Sequence, residues 1–148
     1  MADINFYHDL CEDFLKSGYK SFAIVGKQYN GLTPLGFFGN RKINLENFRA
    51  LELVAAIDTA CCFFNKSKNS RVEISSFVLC ELFEKFLDRE TGGVIFDIKN
   101  GEVILAMIYQ GYEPIKVKDS KEVFFKVTRR ELDQIQWHIE HSSSATTI

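Results

Sequence analysis

His138 and His141 stand three residues apart in a segment with helical periodicity, so both imidazoles can face one side and share a metal ion. Two ligands do not complete a tetrahedral set, and Glu140 between them points elsewhere. His8 and Cys11 form a similar partial pair near the other end, and only a meeting of the two ends would complete a site. No metal and no cofactor is assigned. A thiol catalyst needs a cysteine beside a histidine and an orienting group. Cys61 and Cys62 lie instead among Ala60, Phe63 and Phe64, a setting that raises a thiol pKa and makes it inert. Asp58, one turn earlier, is the most anomalous charge in the chain and the candidate buried polar site. A buried carboxylate must find hydrogen bonds or a cation, and such groups are one route to a general base.

The segment Gly26 to Thr33 follows a strand-like run and has the glycine spacing of a phosphate loop. Leu32 stands where the lysine belongs, and Pro34 with Leu35-Gly36 prevents the helix whose N-terminus would hold the anion. Basic residues otherwise occur as Arg41-Lys42 with Arg49, as Lys66, Lys68 and Arg71, and as Arg129-Arg130, a pattern of solvated surface. The loop from Lys27 to Lys42 carries the richest composition for recognition. It combines glycines with Tyr29, Phe37 and Phe38 and with Arg41 and Lys42, and aromatic side chains with arginine are what interface hot spots are made of. These five residues are the candidate binding site; no residue is assigned as catalytic.

The elements that must position these groups follow from periodicity. Ile4, Tyr7, Leu10, Cys11, Phe14 and Leu15 trace an amphipathic helix that Gly18 ends. Tyr19 to Val25 reads as a strand, and Gly26 to Asn40 as a hairpin with its second arm from about Leu32 to Phe38. Asn44 caps a long helix from Leu45 to Asn65. Arg71 to Ile74 is a strand candidate, and Ser75 or Ser76 caps a helix through Asp88 that Gly92-Gly93 ends. Val94, Phe96 and Ile98 alternate, Asn100-Gly101 is a hairpin signal, and Val103 to Tyr109 reads as a strand buried on both faces. Pro114 begins an edge-tolerant strand from Ile115 to Lys118, Asp119-Ser120 turns the chain, and Val123 to Val127 is another strand. Thr128 with Glu131 makes a capping box for a last helix facing inward through Leu132, Ile135 and Ile139.

These readings predict a single α+β domain over residues 1–141, with a Ser/Thr-rich tail over 142–148. The order is α-β-β-α-(α)-β-β-β-β-α, a mainly antiparallel sheet of about five or six strands with helices packed on it. The chain has 148 residues, of which 46% are hydrophobic and 26% charged, and 14 are Phe, so an aromatic core is expected. A net charge of -2 argues against a dedicated nucleic-acid binder and against an acidic DNA mimic. Absence of a leader-like start or of a spanning apolar run points to a cytoplasmic protein, with cysteines reduced and packed in the core. With no convergent catalytic set, the expected function is a non-enzymatic protein-binding module of inhibitor, immunity-protein, adaptor or chaperone type. It would occupy a partner's surface, with a homodimer open to it if Val103 to Tyr109 lies at a sheet edge. A small-ligand sensor or small enzyme, with a pocket between sheet and long helix and Asp58 at its floor, is the alternative. Nucleic-acid contact through the basic loops ranks third, and no membrane partner is expected.

Overall fold

A computed structural model of the chain describes Asp9, Glu12 and residues 30–44 and 47–141. The expected first helix and the strand over Tyr19 to Val25 lie outside the described residues, apart from helical backbone at Asp9 and Glu12. Among the described residues the order is β1 (Leu32–Thr33), β2 (Gly36–Phe37), α1 (Ala50–Phe63), β3 (Val72–Ser75), α2 (Ser76–Glu90), α3 (Asn100–Tyr109), β4 (Ile115–Lys116), β5 (Val123–Val127) and α4 (Arg129–His141). The class is α+β; among the described residues the strands form two small antiparallel sheets, β1-β2 and β3-β5-β4, and not a single sheet of five or six strands.

The largest departure from expectation is α3. Residues 103–109 form a helix, and the alternating run from Val94 to Ile98 enters no strand. A short continuous apolar run cannot distinguish a buried strand from a buried helix, and here the flanking residues decide it. Glu102, at the third helical position, accepts the Lys99 N–H through Oε1 at 2.8 Å, and Lys99 O accepts the Glu102 N–H at 3.0 Å. The first turn is thereby closed. Val103 through Met107 are fully buried, so α3 is the central rod of the molecule, packed against α1 and α2 and covered by the β1–β2 hairpin. A homodimer through this segment has no exposed edge to use.

Gly101 is needed for close approach and not for a turn. A Cβ there would run into the carbonyl oxygen of Thr33 and the backbone of Pro34, and the Gly101 N–H donates to Pro34 O at 2.8 Å. The hairpin thus lies on the start of α3. The long helix begins at Ala50, later than the Asn44 cap predicts; Asn44 instead accepts the Asn47 N–H in a turn. Ser75 caps α2 as expected, accepting the Phe77 N–H at 3.1 Å. The Thr128–Glu131 capping box is present in both directions, at 2.9 and 3.1 Å. Glu131 also accepts the Asn65 N–H and the Tyr112 hydroxyl, tying the end of α1 to the start of α4.

Aromatic rings fill the space between the helices. Phe63 meets Phe86 edge-on with centroids 4.9 Å apart, and Phe64 stacks on Phe83 and touches Tyr112. Among the described residues no helix is long and apolar enough to cross a membrane.

Candidate functional site

Two loops distant in sequence meet at the start of α3. The β1–β2 hairpin continues into Phe38 and Gly39, and the β4–β5 connection runs through Val117-Lys118-Asp119-Ser120-Lys121. Asp119, with φ at 59°, makes the turn expected of Asp119-Ser120. Asn100 clasps the two together: its Nδ2 donates to Leu35 O at 3.1 Å and to Lys121 O at 3.0 Å. Gly36 permits the contact, because a Cβ there would strike Lys121 O and Asn100 Nδ2.

The result is an aromatic and cationic face. Lys116 Nζ lies 4.1 Å from the Phe37 ring centroid, and Lys121 Nζ lies 5.8 Å from that of Phe38. Phe37 is half-buried, whereas Phe38 is 72% exposed. Phe38 stands between two open clefts and lines both. One, of about 610 Å³, has Phe37, Lys116, Lys118 and Lys121 in its wall; the other, of about 740 Å³, has Arg41 and Lys42. Arg41, Lys42, Lys116, Lys118 and Lys121 are all exposed, and Asp119 is the acidic residue among these linings.

Of the five binding residues read from sequence, Phe37, Phe38, Arg41 and Lys42 come together on this face, and Tyr29 lies outside the described residues. The lysines of β4 and the β4–β5 loop were missed. Their spacing, Lys116, Lys118 and Lys121 around a turn, was a signal, but nothing local ties it to residues about eighty positions earlier. Asp58 is half-buried on α1 and absent from the lining of either cleft. Its charge bears on Cys62, whose thiol is pushed up to about 11 by desolvation first and by Asp58 next. Cys61 and Cys62 are exposed at the end of α1, not packed in the core; α1 buries Thr59, Ala60 and Phe63 and turns the two thiols outward. Cys80 is half-buried, and burial raises its thiol to about 12.

Arg49 does not join the basic face. Its Nε and Nη2 bind the fully buried Glu102 carboxylate at 3.1 and 2.8 Å, and its Nη1 and Nη2 reach Asp97. This bidentate pair holds the N-terminus of α1 to that of α3 and leaves no free guanidinium. Nearby, the Glu84 carboxylate accepts the Ile98 N–H at 3.1 Å, and desolvation, with Asp97 adding to it, holds this acid above its usual range. His138 packs edge-on to Phe63 and His141 stacks on Trp137; His8 and Cys11 lie outside the described residues. No cluster of three or more metal-ligating side chains occurs among the described residues.

No protein-family model matches the sequence, and no curated protein or solved structure matches the chain.

Proposed function

We propose that this chain is a small non-enzymatic binding module that acts by occupying the surface of a polyanionic partner through the Phe37–Phe38 face. The observation that carries this reading is Phe38 itself: a large apolar ring left 72% exposed between clefts walled by five cations. An exposed phenylalanine contributes nothing to the core, and aromatic rings beside cations are the groups that dominate contact energies. A helix pair such as α2–α3 followed by the β4–β5 hairpin is also an arrangement that could set a recognition helix in a duplex groove. Burial of α3 along its length counts against that role, as does the long connection through residues 91–99. An acidic protein surface and a nucleic-acid strand both meet the charge requirement; they differ in what they offer Phe38.

The test is retention on a polyanion column at low salt. The protein is expected to bind and to elute as salt rises. A variant carrying Lys116→Glu, Lys118→Glu and Lys121→Glu is expected to flow through with an unchanged melting temperature, since all three side chains are exposed. Equal retention of the two proteins would sink the reading.

A further inference from the structure

We infer that the polyanion received by this face is a single-stranded nucleic acid, with a base stacked on Phe38 and phosphates held by Lys116, Lys118 and Lys121. The inference rests on the polyanion reading above and adds the chemical class. An acidic peptide would satisfy the lysines and give the exposed ring nothing to do. An apolar cavity on a partner protein would take the ring and leave the cations unmatched. A nucleotide brings both a flat π-face and a negative charge in each repeating unit, which is the pairing this surface offers.

The geometry suits a strand more than a duplex. Cations stand on both sides of Phe38, Arg41 and Lys42 in one cleft and Lys116, Lys118 and Lys121 in the other, so a chain crossing the ring meets positive charge before and after it. The clefts, at about 610 and 740 Å³, are each open enough for a base and sugar. In a duplex the base faces are already stacked, and the helix that would read a groove is buried. Phe38 follows a hairpin fastened by Asn100 and Gly36, which lowers the ordering cost of presenting it.

The experiment is fluorescence anisotropy with a labelled thymidine oligonucleotide of about twelve nucleotides, a duplex of equal length, and labelled polyglutamate. The single strand is expected to bind best. With about three phosphates neutralised, affinity should fall roughly twentyfold between about 50 and 200 mM salt. Phe38→Ala should weaken strand binding by about tenfold and Phe38→Trp should restore it, while duplex binding responds to neither. Replacing Lys116, Lys118 and Lys121 together by Gln should flatten the salt dependence. Melting curves of each variant establish that it is folded. Polyglutamate binding that matches the strand, or strand binding indifferent to Phe38→Ala, overturns the nucleic-acid assignment and leaves the polyanion face standing. Failure of all three probes removes both.

Discussion

A buried carboxylate is tolerable only where its charge is answered, and Glu102 is answered by one side chain. Arg49→Ala leaves that charge stranded against the Lys99 N–H and is expected to cost about 3 kcal/mol, measured by chemical denaturation. Adding Glu102→Gln in the same chain should recover a large part of it, because the amide oxygen still accepts from Lys99. Glu84 behaves in the opposite sense. The unfolded chain gives up this proton at lower pH than the folded one, so between the two pKa values the native state holds more protons and stability falls as pH rises. Glu84→Gln keeps an acceptor for Ile98 and has nothing to ionise. Its melting temperature should exceed that of the wild type at about pH 7, and the gap should close near pH 4. Exposure alone does not make Cys62 reactive. With its thiol near 11, the thiolate fraction at about pH 8 is roughly a hundredfold below that of a free cysteine, and alkylation should be correspondingly slow.

At the scale of elements, the fold depends on how closely the β1–β2 hairpin can approach α3. Gly101→Ala forces a methyl into the Thr33 carbonyl and is expected to cost about 3 kcal/mol in urea unfolding, with loss of protection at the hairpin. Elements with a local signature were legible in the sequence: β5 over Val123–Val127, the Ser75 cap, the Thr128–Glu131 box and the inward face of α4 all rest on neighbours within a few residues. The misread element, α3, has apolar residues on every side, so its periodicity carries no angle. Asn100-Gly101 resembles a two-residue turn while serving as a clasp and a contact point. The candidate site was half legible for a related reason. Phe37, Phe38, Arg41 and Lys42 share one loop, but the lysines that complete the face arrive by tertiary contact across the clasp.

For the whole molecule, charge and stability are unevenly spread. The chain carries a net charge of -2 while one face gathers five cations, so an average over the composition conceals the local field. The interior is organised around α3, with α1, α2, the rings of Phe63, Phe64, Phe83 and Phe86, and the Glu131 hub arranged about it. Among the described residues, amide hydrogen exchange should therefore be slowest in 103–108, at rates set by global unfolding, and far faster in the β4–β5 loop. The Asn100 side chain joins these two regions, since the buried helix begins at the residue that grips the hairpin and the β4–β5 loop. Whatever settles across those loops also braces the rod beneath them, and occupancy of the outer face becomes readable as heat resistance of the interior.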